Sequence, residues 1–190
     1  MQYLHPISWQ PIAPNAERPL FSILIPTWDN LPMLRLCVES LRTHSSRRHE
    51  IILHINQDDD GQTRRFAQAE GIAYSYSAQN VGVCRAMNAA ARLAQADYVC
   101  YFNDDMYALP LWDKPILAAI EARSDDFFYY SATMIEPTAS GNACVRAPHD
   151  FGRDVAHFER EKLLEFHAGL SDFRDWYGAS WPPSVVSRRL

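Results

Sequence analysis

Two carboxylates stand side by side at Asp104 and Asp105, directly after the apolar run Tyr98-Val99-Cys100-Tyr101-Phe102 and Asn103. A run of that length suits a buried strand, and acids at its carboxyl end would lie where open α/β sheets bind ligands. Adjacent like charges repel, so a site that keeps both ionised usually brings a cation to them. Mg2+ and Mn2+ prefer such hard oxygen ligands. The same residue types also suit a solvated turn, since turns are rich in Asp and Asn. The elements around the pair have to decide between these readings.

Residues 21–25 form a short apolar run closed by Pro26, the pattern of a buried strand entering a loop, and Thr27-Trp28-Asp29-Asn30 follows as a ligand-facing loop. Leu34, Val38 and Leu41 then recur at helical spacing after Leu31, with Pro32 where a first turn tolerates it. Residues 50–55 read as a second strand, 62–70 as a helix and 72–76 as a third strand. Asn80-Val81-Gly82 makes a turn. Val83, Met87, Ala90 and Ala94 mark one face of an alanine-rich helix that ends near Ala96, before the strand that carries the acids. A helix over 112–122 and an aromatic strand over 127–133 come next, then Gly141, Pro148 and Gly152 loosen the pattern before a helix over 155–168. This alternation predicts an α/β fold with a mainly parallel sheet and helices on both faces. Four prolines, Pro6, Pro11, Pro14 and Pro19, make residues 1–19 an extended arm that is neither helix nor central strand. The stretch from Trp176 to Leu190 shows no closing element.

A chain of 190 residues suits one domain, and 47% apolar with 22% charged residues is ordinary globular composition. A net charge of -5 gives no general attraction for polyanions, which argues against nucleic acid as a partner. No stretch approaches the roughly 18 to 20 apolar residues of a membrane span, and no basic-then-apolar leader opens the chain, so the expected location is cytoplasmic, free or peripheral at a membrane. Cys37, Cys84, Cys100 and Cys144 include no C-x-x-C pair and read as buried thiols. The seven histidines include no i,i+4 ligand pair. Asp58-Asp59-Asp60-Gly61 lacks the further ligands of a calcium loop and reads as a solvated turn.

Three polar loops therefore converge at one sheet edge: Pro26 to Asp29, Asn56 to Gly61, and Asn103 to Asp105. The fragments Phe21-Ser22-Ile23-Leu24-Ile25-Pro26-Thr27, residues 50–56 with Asp60-Gly61, Asn80-Val81-Gly82-Val83-Cys84-Arg85-Ala86-Met87-Asn88, and Tyr101-Phe102-Asn103-Asp104-Asp105-Met106 stand in one order and spacing. Together they resemble family 2 glycosyltransferases of the GT-A fold. The resemblance implies a Rossmann-like sandwich and a metal-assisted, inverting transfer of a sugar from a nucleotide-sugar donor, UDP-linked in many members, to a saccharide or lipid-linked acceptor, as in polysaccharide biosynthesis. It divides residues 20–190 into a donor-binding part to about 135 and an acceptor-side part from 136.

On that resemblance Asp105 is the ligand of a Mn2+ or Mg2+ ion, and Asp104 contacts the ribose or the sugar. Asn103 stands where an Asp-x-Asp motif has an acid, leaving one charge fewer, with the metal shell completed by diphosphate and water. Pro26, Thr27 and Asp29 approach the base and ribose. Asn56 takes the place of a family Asp that accepts from uracil, and an amide both accepts and donates. Arg85 faces the base or the phosphates, and Asn80 and Gly82 shape the turn before it. Thr27 could equally cap the helix that follows, and Arg85 could be an ordinary helix-surface residue. The family's general base lies after the metal motif, in the acceptor half. Gly178-Ala179-Ser180-Trp181-Pro182-Pro183-Ser184 resembles the approach to that half, and none of Asp150, Asp154, Asp172 and Asp175 lies in a matching context. Exposed Trp176 and Trp181 could cover a partner surface. A donor-binding module without catalysis and a nucleotidyltransferase remain alternatives, the second lacking a Gly-rich phosphate loop.

Overall fold

The computed structural model describes residues 5–13, 18–172, 175–176 and 181–189. The elements are β1 (Ile7–Gln10), β2 (Phe21–Thr27), α1 (Leu31–His44), β3 (Glu50–Asn56), α2 (Gln62–Ala69), β4 (Ala73–Ser77), α3 (Val83–Ala91), β5 (Tyr98–Tyr101), α4 (Lys114–Glu121), β6 (Tyr129–Ser131), β7 (Met134–Ile135), β8 (Val145–Arg146), α5 (Arg160–Ala168) and β9 (Ser184–Ser187). Seven strands form one sheet in the order β1-β4-β3-β2-β5-β9-β6, and β7 pairs with β8 in a second, two-stranded one. The four central strands are parallel, as the βαβ alternation requires, while β1 and β9 run antiparallel to their neighbours.

Alternate residues of the central strands feed two cores. Phe21, Ile23 and Ile25 of β2 pack with Leu34, Val38 and Leu41 of α1 and with Phe66 of α2 on one face. Leu24 and Ile52 meet Ala90 and Ala94 on the other. The small residues of α3 let that helix lie close on the sheet, and burial on both faces explains why β2 reads as a continuous apolar run.

From β2 the chain builds β3 and β4 to one side, then crosses to place β5 on the other. The crevice at the carboxyl ends of β2 and β5 is therefore the topological switch point, where open α/β sheets bind ligands. Leu24 accepts from the Phe102 N–H at 3.1 Å, and the ladder to β5 stops there. Pro26 turns its backbone to the same side two residues later, so its missing N–H leaves no ladder bond unmade.

Several sequence expectations change at the element ends. The arm contributes an edge strand, β1, between Pro6 and Pro11. Helix α3 ends at Ala91 and passes into tighter turns, Leu93 N–H to Ala90 O and Ala94 N–H to Ala91 O, after which the buried Glu50 carboxylate accepts from the Gln95 and Ala96 N–H groups at 2.5 and 3.2 Å. Leu111, at a φ of 61°, delays α4 to Lys114, and Asp154 bonds to His157 in a turn that delays α5 to Arg160. A closing strand does exist: β9 inserts between β5 and β6. Pro14, and Gly178 to Ser180 of the segment likened to the approach to the acceptor half, lie outside the described residues. Among the described residues no helix is long and apolar enough to cross a membrane.

Candidate functional site

Asp104 sits at the switch point, half-buried, and burial pushes its carboxyl up. The Thr27 hydroxyl, the Asn30 amide and the Trp28 N–H all favour its charged form, and the neighbouring Asp105 opposes it. The pairing of β2 with β5 sets the Asn103–Asp105 loop beside the loop after β2. Thr27 Oγ1 is buried and makes no well-formed hydrogen bond of its own. Asp29, at a φ of 48°, and Asp105 are exposed on the two facing loops. Beneath them Tyr101 donates its hydroxyl to Asn103 Oδ1. The Asn103 amide is thus held by the protein. Burial, then Asp105 and Asp104, raise the Tyr101 phenol.

A second cluster lies one and two strands away. Asn56 Oδ1 accepts from the Val81 N–H at 2.9 Å, and Asn80 Oδ1 accepts from the Gly82 N–H at 2.9 Å. Gly82 has a φ of 79°, a region that favours glycine. Asn56 therefore spends its amide oxygen on holding the loop before α3 rather than presenting it to a base. Arg85, expected to face the base or phosphates, donates to the His5 carbonyl of the arm at 2.6 Å. His5, Ile7 and Trp9 of the arm line a cavity of about 300 Å³ against Arg85 and Asn88 of α3 and Arg92 just beyond its end.

Three further features depart from the sequence reading, those of Asp58, Cys84 and Trp176. Asp58 is buried, not solvated: its carboxylate accepts from the Thr63 and Arg64 N–H groups at 3.1 and 3.0 Å and from Arg64 Nε at 2.9 Å, capping α2. Cys84 is exposed, whereas the other three cysteines are buried. Trp181 is exposed and Trp176 half-buried. Asp150, Asp154 and Asp172 are paired at the surface with Arg153, His157 and Arg146. Asn30 and Tyr101 lie within segments the sequence marked, the loop after β2 and the run before the acids, but were given no role there.

His54, buried on β3, contacts Ser75 Oγ at 2.8 Å and Ser77 Oγ at 3.1 Å. Burial, reinforced by the Arg85 charge, pushes it down to about 4, against an opposing bond from Asn56. The unfolded chain takes this proton near 6.5, so the stability that neutral His54 contributes is full above that pH and is lost as pH falls toward 4. The loss amounts to about 3 kcal/mol at one pH unit per 1.36 kcal/mol. Urea unfolding from pH 7 to 4 should show the native chain losing more stability than His54→Asn; parallel curves would refute the assignment.

A seven-stranded sheet with a parallel core and helices on both faces is the GT-A architecture. The profile of Glycosyl transferase family 2 matches residues 22–170, and the chain belongs to that family. The structure of S. aureus TarS 1-349 superposes with a TM-score of 0.54 at 16% identity, covering 64% of this chain and 37% of that one. The same TarS fragment in complex with UDP gives 0.53 at 17% identity, covering 65% and 37%. The mannosyltransferase PcManGT from Pyrobaculum calidifontis, in complex with GDP-Man and Mn2+, gives 0.50 at 20% identity, covering 68% and 39%. The chain thus spans under two-fifths of the length of these structures. No curated protein matches it.

Proposed function

We propose that the chain binds a nucleotide sugar at the β2–β5 switch point and serves inverting, metal-assisted transfer of the sugar to a saccharide or lipid-linked acceptor. The parallel pairing of β2 with β5 carries this reading, because it brings the Thr27–Asn30 loop and the Asn103–Asp105 loop, two separate motifs of the family, to one crevice. Structures of similar fold hold UDP and GDP-Man, which supports a nucleotide-sugar donor. In the reaction the acceptor oxygen bonds to the anomeric carbon as the bond to the diphosphate breaks, and the acceptor proton passes to a base.

Among the described residues no three His, Cys, Asp or Glu converge as a metal cage. The exposed Asp105 fits a Mg2+ or Mn2+ ion that takes one or two protein carboxylates and completes its shell with phosphate and water. Such an ion would neutralise charge on the departing diphosphate. Thr27, Asn30 and Asp104 would meanwhile position the ribose or sugar.

A thermal-shift series with UDP, UDP-GlcNAc, GDP, GDP-mannose and dTDP-glucose, each with Mn2+, Mg2+ or EDTA, tests the proposal. Stabilisation by at least one donor, greater with metal than with EDTA, is the expected result. No shift with any donor would overturn it. A second reading, donor binding without transfer, draws on the surface pairing of Asp150, Asp154 and Asp172, which leaves these acids without a catalytic setting. Stabilisation without turnover beside mixed acceptors would favour it.

A further inference from the structure

Strand β6 runs antiparallel to β9, and β9 antiparallel to β5, so β5 and β6 point the same way. The chain therefore leaves β6 at the carboxyl edge from which Asn103 to Asp105 leave β5. Beyond β6 its backbone is pinned at every second residue. Ala132 N–H donates to Pro183 O at 3.0 Å, Met134 N–H to Cys144 O at 2.7 Å, and Glu136 N–H to Arg146 O at 2.9 Å. The Glu136 carbonyl in turn accepts from the His149 N–H at 2.9 Å.

Glu136 is thus held on both sides by its backbone, while its half-buried side chain makes no hydrogen bond or ion pair among the described residues. Burial, and after it the charge of Asp105, push its carboxyl up. Both acids lie on segments that leave the sheet at this edge, and among the described residues no group of three His, Cys, Asp or Glu forms a metal cage. A rigidly mounted, half-desolvated carboxylate with nothing to accept from is poised for an external donor. The diphosphate belongs on the Asp105 side, and the group bonded to the diphosphate is the transferred sugar.

We propose that Glu136 accepts hydrogen bonds from hydroxyl groups of the transferred sugar and thereby selects a neutral sugar over one that carries a carboxylate. Sugar hydroxyls supply the donors that a carboxylate needs, and charge-assisted bonds of this kind are the stronger ones. A sugar acid would instead bring a like charge against Glu136, which is discrimination by repulsion. The inference rests on the donor reading above and names the residue that reads the sugar within it.

The test is calorimetric titration, with Mn2+, of matched pairs: UDP against UDP-GlcNAc and UDP-glucuronate, and GDP against GDP-mannose. The native chain should bind the neutral sugar nucleotide more tightly than the bare nucleotide. Glu136→Ala should lose that gain by about tenfold and leave the affinity for the bare nucleotide unchanged. Glu136→Gln should lose part of the gain and bind UDP-glucuronate better than the native chain does. Both variants should melt with the native protein, since the side chain has no partner to forfeit. An unaltered sugar gain in both variants overturns the role of Glu136 alone. Absence of any nucleotide binding by the native chain overturns the donor reading, and this inference with it.

Discussion

Replacing Asp105 with asparagine should weaken metal-dependent donor binding by roughly a hundredfold or more, since even groups that only support a metal ligand contribute about 10 to 100-fold. The same change should leave the melting temperature of the free chain unmoved. Asp105 is exposed and caps nothing among the described residues, so its carboxylate is available to a ligand without stabilising the fold. Asp104 behaves differently. It is half-buried, and Thr27, Asn30 and the Trp28 N–H favour its charged form, so Asp104→Asn should lower both the melting temperature and the donor affinity by loosening the loop after β2. The contrast separates a ligand-facing acid from a loop-anchoring one. Donor titrations with Mn2+ and with EDTA, beside melting curves of the free variants, measure it. Unchanged Mn2+-dependent donor affinity in Asp105→Asn would sink the metal assignment.

The legible part of this molecule is the part whose cause is local. An apolar run ended by Pro26, helical spacing of Leu34, Val38 and Leu41, and acids after an aromatic strand each report a short-range preference, and the parallel core follows from their alternation. The illegible part depends on partners far along the chain. Strand β9 has four residues with serine at both ends, and it becomes a strand because β5 and β6 flank it. Glu50, Asp58 and Asp113 look like surface acids by type, yet each is buried with N–H groups to accept from. Arg85 shows the same limit within the site. Its place at the start of α3 suggested a ligand contact, whereas the His5 carbonyl that occupies it comes from the arm, whose path no local pattern specifies.

Asp113 carries the other large expected effect. It is fully buried and accepts from the Ser46 N–H at 2.8 Å, the Ser46 hydroxyl at 2.9 Å, the Arg47 N–H at 3.3 Å and His49 Nε2 at 2.9 Å. Burial works against its charge, but the bonds from His49 and Ser46 outweigh that cost and hold the carboxyl below its ordinary value. His49 also stacks on Phe21 with ring centroids 4.9 Å apart, and Trp112 packs edge-on against Phe102 at 4.9 Å. One carboxylate thus ties the turn after α1 to the start of α4 and steadies the aromatic layer under β2 and β5. Asp113→Ala would leave these donors buried without an acceptor, at about 4 kcal/mol, a large share of the roughly 5 to 15 kcal/mol that stabilises a typical domain. Asp113→Asn keeps one acceptor and should cost about half as much. The folded carboxyl titrates below the unfolded one, so its contribution is full above the unfolded value and is lost as pH falls through the folded value. The gap between native and Asp113→Ala stabilities should accordingly narrow below about pH 4. Urea unfolding at pH 7 and at pH 3 measures both effects. A cost below 1 kcal/mol for Asp113→Ala at pH 7, or a gap that widens in acid, would remove Asp113 from the set of residues that hold the sheet and α4 together.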